Sequence, residues 1–282
     1  MRYEHEWRRG PYEGGNQMLI VPRRRPLWTL AATSTAVWLD PGDPATVISS
    51  GGLATQWNDK SGNGRNVTAT GTARPTYTTG GLNNLNIMTF NGTSNFMSNT
   101  GAALLRNVSG ATIMAVLRRA SNSASEVTAV GINTSAPNTR AQLSFRNSAT
   151  ANEGISTGGR RLAANTFQAV GTSAYTSAFT IAMAVFNYAG ATLTLFENGA
   201  QTGTRVFQTA GNTENDAGGL FIGSSITGAS AFLNGDIAEV AIIHSAIGTT
   251  LRQRAEGYLA HRRGLNGSLT AGHPFLVYPP YL

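Results

Sequence analysis

The sequence predicts an all-β fold in which two antiparallel sheets pack as a sandwich, with an extended N-terminal arm before them and one helix after them. Three observations support this prediction. Only 12% of the 282 residues are charged, while 33 are glycine, a composition typical of short strands joined by tight turns. Short apolar runs recur between Gly, Asn and Ser turns. One stretch near the C-terminus has helical periodicity.

Eight short runs between Val37 and His244 are predicted to be strands. They are AVWLD (36–40), NIMTF (86–90), ATIMAVLRR (111–119), AQLSF (141–145), FTIAMAVFN (179–187), TLTLFENG (192–199), LFIGS (220–224) and IAEVAIIH (237–244). The pair Asn198-Gly199 favours a type I′ hairpin turn, because both turn positions need a positive φ. The spacing of the runs favours an antiparallel sandwich.

A single helix is predicted near residues 249–263. Its apolar stripe falls at helical spacing and consists of Leu251, Ala255, Tyr258 and Leu259. Thr250 with Gln253 is expected to form a capping box at the start. Gly264 is expected to end the helix in the left-handed conformation.

The two ends of the chain differ from the middle. Residues 1–35 are predicted to be an extended arm, because the run PRRRP (22–26) and further prolines oppose regular structure, and residues 276–282 form a second extended tail. Residues 1–30 hold six arginines against three glutamates, and residues 251–282 hold four against one. The net charge of +7 therefore resides mainly at the ends.

Several function classes are excluded by composition. There is no cysteine, so disulfides, thiolate metal sites and cysteine nucleophiles are ruled out. The N-terminal residues lack the apolar segment of a signal peptide, and no apolar run is long enough for a membrane span. We therefore expect neither export nor a membrane partner.

Four pieces in order carry a family resemblance: VWLD (37–40), WNDKSGNGRN (57–66), FNG (90–92) and NGDIAEVAII (234–243) running into the helix and LTAGHP (269–274). This series resembles the laminin-G-like, concanavalin A-like jelly-roll domains found in bacteriophage structural proteins and bacterial surface proteins. The resemblance covers about residues 36–275. It implies a jelly-roll sandwich with the helix folded against one sheet.

The motif residues are assigned structural roles. They are Trp57, Asp59, Ser61, Gly62, Gly64, Phe90, Gly92, Gly235 and Glu239. Trp57 is expected to pack in the core, while Asp59 and the glycines form a hydrogen-bonded turn. Asp59, Ser61 and Asn63 also match the first positions of a calcium loop, but Thr70 stands where that loop needs a bidentate Glu. Calcium at Asp59 is the weaker alternative, and no other cofactor or metal is expected.

Catalysis is not expected. Glucanases of this fold need two carboxylates on one face of a strand. Asp236 and Glu239 are three positions apart, which on a regular strand places them on opposite faces. The four histidines are scattered and no nucleophile elbow is present. Glycoside hydrolase activity is the least favoured function.

The arm is predicted to dock on another protein. Its candidate contact residues are Trp7, Arg8, Arg9, Arg23, Arg24, Arg25 and Trp28, types enriched at interface anchors. An acidic protein surface is favoured over nucleic acid, because the excess of positive charge is small. The sequence thus predicts a non-enzymatic phage virion protein on the particle surface, preferably a head decoration protein bound to capsid subunits. Homo-oligomers, a trimer among them, are expected.

The alternative is a glycan-binding, receptor-recognition module of a tail or fibre. Its candidate loop carries Asn212, Glu214 and Asp216, since sugar sites combine amides and acids on loops. The same residues fit a solvated turn equally well. The two interpretations remain open at the level of sequence.

Overall fold

A computed structural model describes residues 25–121, 126–132, 138–145, 154–171, 174–215, 218–225 and 230–282. The strands are β1 Thr35–Leu39, β2 Val47–Ser50, β3 Leu53–Trp57, β4 Val67–Thr68, β5 Thr76–Leu82, β6 Leu85–Asn91, β7 Met97–Asn99, β8 Ala111–Arg119, β9 Val127–Ile132, β10 Arg140–Phe145, β11 Ile155–Arg160, β12 Gln168–Val170, β13 Thr180–Asn187, β14 Thr192–Glu197, β15 Ala200–Val206, β16 Leu220–Ile222 and β17 Asn234–Ile243. The helix α1 spans Thr249–Arg263, and short 3-10 helices lie at Leu30–Ala32, Pro44–Thr46, Gly71–Ala73 and Asn266–Ser268.

The strands form two facing antiparallel layers. The strand order of the first layer is β5-β6-β17-β8-β13-β14-β15. Strand β1 pairs with the second half of β17, on the edge whose first half pairs with β6. The second layer runs β4-β7-β16-β9-β10-β11-β12. Strand β3 joins the layers, because it pairs with β2, β4 and β5. The all-β antiparallel sandwich with one C-terminal helix is confirmed.

The first layer has apolar side chains on both faces. In β8, Ile113, Ala115 and Leu117 belong to the core between the layers. Met114 and Val116 alternate with them and pack on the opposite side, in the cluster that includes Tyr258 and Leu259 of α1. This alternation explains why the β8 sequence is an unbroken apolar run.

Each of the eight predicted strands overlaps an observed strand, and β8 has the predicted bounds. The Asn198-Gly199 turn is confirmed, with φ values of 50° and 85°. The remaining strands were not predicted. Most of them are short or rich in polar residues and glycine, as in ISTGGR of β11, so neither period nor apolar content marks them. Strand β9, VTAVGI, is an apolar run that was overlooked.

The helix is confirmed, and Gly264 ends it with a φ of 68°. The predicted capping box is wrong. Gly248 is the N-cap residue and no side chain caps the helix, so Thr250 already lies in the first turn. The buried face includes Arg252, Glu256 and Arg263 beside the apolar stripe, because buried partners compensate these charges. In the part of the chain that the structure describes, no helix has the length and apolarity needed to cross a lipid bilayer.

Candidate functional site

The loop WNDKSGNGRN fastens β3 to β1. Trp57 is fully buried in the core between the layers. The Asp59 carboxylate accepts hydrogen bonds from the backbone N–H groups of Trp38, Ser61 and Arg65, at 2.9, 2.9 and 3.1 Å, and from the Ser61 hydroxyl at 2.8 Å. Gly62 and Gly64 have φ values of 85° and 69°, which glycine adopts without strain.

The side chains that a calcium ion at Asp59 would use are engaged in protein hydrogen bonds. Both Asp59 oxygens already accept protein hydrogen bonds. Asn63 directs its amide nitrogen to the carbonyl oxygens of Thr35 and Ala36, at 3.0 and 3.1 Å. Among the described residues, no three His, Cys, Asp or Glu side chains cluster as metal ligands would. The geometry is that of a hydrogen-bonded connection between strands.

Two buried carboxylates, Asp40 and Glu239, bind the helix to the first layer. Asp40 accepts from Arg263 at 2.7 Å, from Arg262 at 2.6 Å and from Lys60 at 3.0 Å. Glu239 lies 3.1 Å from Nη2 of Arg263. Asp40, Glu239 and Arg263 are all fully buried. A single guanidinium therefore bridges the carboxylate that directly follows β1 and a carboxylate of β17, as buried charges require compensation.

Glu239 also receives neutral donors. The Trp38 indole nitrogen donates to it at 2.8 Å and the Tyr258 hydroxyl at 3.1 Å. Burial raises the pKa of Glu239, the negative charge of Asp40 raises it further, and the arginines oppose that rise. Glu239 was among the residues predicted to be structural, whereas Asp40 and Arg263 were not. The D of VWLD was the available signal, since a charged residue at the end of a buried strand needs a partner.

The expectation that Asp236 and Glu239 face opposite ways is wrong. A β-bulge between Ile237 and Glu239 adds one residue to β17 relative to β8. Asp236 therefore lies on the helix side of the layer, as Glu239 does. Its carboxylate accepts hydrogen bonds from Arg118 Nε and from the Thr89 hydroxyl, both at 2.6 Å. Both carboxylates are engaged in separate networks, so shared orientation alone does not make them an acid–nucleophile pair.

The other motif residues serve close packing. Phe90 is buried in the core between the layers. Gly92, with a φ of 75°, lies against Asn234, where an added Cβ would collide with that side chain. A Cβ on Gly235 would collide with the backbone of Arg118 on β8. These positions allow β6, β17 and β8 to approach closely.

The candidate glycan loop is held by internal hydrogen bonds. Glu214 accepts from the backbone N–H of Ala163 at 2.9 Å, and Arg161 binds the Asn212 carbonyl oxygen at 2.6 Å. The Asn212 side chain is exposed and donates to Asn107 at 3.2 Å. Asp216 lies outside the described residues. The described part of the loop presents the exposed amides of Asn212 and Asn215, while the Glu214 carboxylate already accepts a hydrogen bond from the protein.

One of the arm residues assigned to docking is corrected. Trp28 is only 3% exposed and packs edge-on against Tyr258 of its own chain, with ring centroids 6.3 Å apart, so it is not available to a partner. Arg25 is exposed. The remaining candidates, Trp7, Arg8, Arg9, Arg23 and Arg24, lie outside the described residues.

The beginning and end of the described chain pair with each other. Leu27 and Tyr281 form an antiparallel bridge. The Trp28 amide donates to the Pro280 carbonyl, and the Leu282 amide to the Pro26 carbonyl, both at 3.0 Å. Sequence reasoning treated these segments as separate tails. Their shared extended, proline-bearing character was compatible with pairing but did not specify it.

This terminal junction, residues 25–28 and 277–282, exposes apolar side chains. Of the seven exposed large hydrophobic residues in the described chain, five belong to it: Leu27 (56%), Val277 (66%), Tyr278 (49%), Tyr281 (40%) and Leu282 (66%). Exposed apolar groups collected in one place commonly mark an interaction surface.

Comparisons with solved structures agree with the sandwich. The receptor binding domain of botulinum neurotoxin D superimposes with a TM-score of 0.55 at 12% identity, over 78% of this chain and 51% of the other. The binding domain of Paraclostridial Mosquitocidal Protein 1 gives a TM-score of 0.55 at 14% identity, over 79% and 51%. The chain thus spans about half the length of these structures, and such low identity shows the fold alone.

No curated protein matches the chain in sequence. The family model described as the concanavalin A-like lectin/glucanases superfamily, of laminin G type, matches residues 90–250. That match covers the sandwich from the end of β6 to the first turn of α1. Since it spans more than half of the chain, the protein belongs to the concanavalin A-like lectin/glucanases superfamily.

Proposed function

We propose that this chain is a non-enzymatic structural protein of a bacteriophage particle, docked on capsid subunits through its terminal segments. Its sandwich would face outward in the manner of a head decoration protein. The observation that carries the proposal is the terminal junction, where most of the exposed large apolar side chains of the described chain collect.

The charge of the adjoining segment indicates the chemistry of the partner. Arg25 is exposed next to Leu27, and residues 1–25 contain six arginines and three glutamates. An acidic protein surface with an apolar centre complements this arrangement, because apolar contacts supply affinity while opposite charges orient the encounter.

The body supports binding rather than chemistry. The buried carboxylates Asp40 and Glu239 share Arg263, and Glu256 is bound by Arg252 at 2.6 Å. Asp236 pairs with Arg118. Asp40, Glu239 and Asp236 connect strands to each other or to the helix, and Glu256 pairs within the helix and with His273, which is a structural use of charge.

The test is incorporation into particles. We expect Leu27→Asp with Tyr281→Asp to reduce the copy number of the protein on purified particles by about tenfold or more, because charges replace the apolar contacts. Val206→Asp is the control, since Val206 is an exposed hydrophobic residue that lies outside the junction. Unchanged occupancy of the junction variant, with normal folding by circular dichroism, would contradict docking.

The second candidate is a glycan-binding module of a tail or fibre. It is favoured by the superimposed structures, two of which are a neurotoxin receptor binding domain and a toxin binding domain. A glycan array probed with and without calcium tests it. Saturable binding that Asn212→Ala abolishes would favour this role over a purely structural one.

A further inference from the structure

A shallow depression of about 440 Å³ lies over strands β2, β3 and β4, away from the candidate glycan loop in sequence. It is lined by Ile48, Thr55, Gln56, Thr68, Ala69, Thr70, Gly71 and Arg74. The volume is in the range of small-molecule sites, roughly 300–1,000 Å³. None of the residues assigned to a site from the sequence lies in it.

Strand register gives the floor of the depression a defined order. Ile48 is directly opposite Gln56, and Gln56 is directly opposite Thr68. Side chains at opposed positions share one face of a sheet, so an apolar, an amide and a hydroxyl group form a row. Two strand spacings make this row roughly 10 Å long, which suits a sugar ring with its substituents.

The polar groups of the row are incompletely used by the protein. The Gln56 side-chain nitrogen donates to Asn58 at 2.6 Å. The side-chain carbonyl oxygen of Gln56 accepts no hydrogen bond from the described residues. Thr68 and Thr70 are exposed, and no described residue hydrogen-bonds their hydroxyls. The two threonine hydroxyls can each donate and accept a hydrogen bond, and the Gln56 carbonyl oxygen can accept one. Together they can bind a ligand that carries several hydroxyl groups.

Arg74 adds a fixed positive charge. Its Nε donates to the Gly71 carbonyl oxygen at 3.0 Å, which orients the guanidinium. Its terminal nitrogens contact no acceptor among the described residues, and they form the fork that binds a carboxylate through two parallel hydrogen bonds. A neutral sugar would leave this fork unused, so the site favours a ligand with a carboxylate.

We propose that this depression binds a hexuronate unit of an acidic polysaccharide. Arg74 receives the carboxylate, Thr68, Thr70 and Gln56 bind ring hydroxyls, and the 52% exposed Ile48 covers the C–H face of the ring. The proposal concerns the body of the protein and is independent of docking through the terminal junction.

The experiment is a titration of the full-length ¹⁵N-labelled chain with methyl β-D-glucuronide, followed by amide chemical shifts. We expect saturable shifts confined to residues 48, 55–56 and 68–74, with a dissociation constant of about 1 mM, the weak range for one sugar in an open site. Methyl β-D-glucoside, the neutral analogue, should bind about tenfold more weakly or worse, because it lacks the charge-assisted contact.

A matched pair of variants tests the role of Arg74. Arg74→Gln should weaken glucuronide binding by about tenfold or more. Arg205→Gln should leave it unchanged, because Arg205 is an exposed arginine outside the depression that likewise donates its Nε to a backbone carbonyl, that of Ala169. Thr68→Val should weaken the glucuronide and the glucoside alike, as expected for a group that binds hydroxyls.

Three results would overturn the proposal. These are the absence of saturable shifts at residues 68–74, equal affinity for glucuronide and glucoside, and equal affinity for sodium acetate, which would make the site a general anion site. Failure of particle docking would leave this titration unaffected, because the titration uses the isolated chain.

Discussion

Trp38 and Glu239 are 201 positions apart in the sequence, yet the indole nitrogen of Trp38 donates a 2.8 Å hydrogen bond to the Glu239 carboxylate. The bond joins β1 to β17, and the same carboxylate contacts Arg263 at the end of α1. One buried charge therefore holds together the first strand, the last strand and the helix. The free energy of unfolding should therefore depend on how well the positive charge of Arg263 compensates the two buried carboxylates.

Arg263→Met should destabilise the fold by about 3–5 kcal/mol, because it leaves Asp40 and Glu239 buried with reduced compensation. Arg118→Met is the matched control. Its partner Asp236 is also buried, but the Arg118 side chain is 42% exposed, so a loss of about 1 kcal/mol or less is expected. Urea unfolding at pH 7 measures both, and equal losses would contradict a special role of Arg263.

His244 should make stability fall in mild acid. Burial lowers the pKa of His244, and the positive charge of Arg65 lowers it further, so the unfolded chain binds a proton more readily than the folded one. The contribution of the neutral imidazole is therefore present above the unfolded pKa of about 6.5. It is lost as the pH falls through the lower folded value.

The comparison of wild type with His244→Gln isolates this effect. The difference in unfolding free energy between the two proteins should move in favour of the variant as the pH is lowered from 7.5 to 5, since glutamine cannot be protonated. A pH-independent difference would show that His244 does not titrate differently in the two states.

Trp28→Ala should destabilise the protein by about 3–5 kcal/mol, the usual loss for a buried aromatic side chain. Trp28 is buried against Tyr258, so its removal leaves a cavity between the N-terminal segment and the helix. Tyr278→Ala, at a 49% exposed site, should change stability by about 0.5 kcal/mol or less. Thermal unfolding of both variants provides the measurement, and similar midpoints would contradict the burial of Trp28.

Asp59→Asn should cost about 1–3 kcal/mol, because an amide has one acceptor oxygen where the carboxylate uses two. Asp43→Asn is the control at a carboxylate that is partly exposed. Calcium chloride should leave the unfolding midpoint of the wild type unchanged, since the Asp59 oxygens accept from protein donors. A calcium-dependent rise that the Asp59 variant loses would instead assign a metal to this loop.

The strand predictions succeeded best where a run of apolar side chains is long enough to identify a strand without its neighbours. ATIMAVLRR is β8 with the predicted bounds, because it is long, apolar and buried on both faces. Strand β11 was missed because Gly158 and Gly159 interrupt its pattern. Those glycines are required by residues of neighbouring segments, since Phe167 and Phe186 occupy the space where their Cβ atoms would lie. Such a strand becomes recognisable only with its neighbours in place.

The candidate sites show the same limit. Nothing near Arg263 in the sequence identifies its partner, because Asp40 lies 223 positions away. The orientation of Glu239 depended on a bulge that strict alternation does not anticipate. The row Ile48, Gln56 and Thr68 exists only through the register of three strands. The docking role of the arm and its boundary at residue 35 remain predictions.

The adjacency of Pro26 and Leu282 also defines a route for engineering. Because the backbones at Pro26 and Leu282 are hydrogen-bonded to each other, a body that spans residues 26–282 can be inserted into a surface loop of a carrier protein whose two ends lie equally close together.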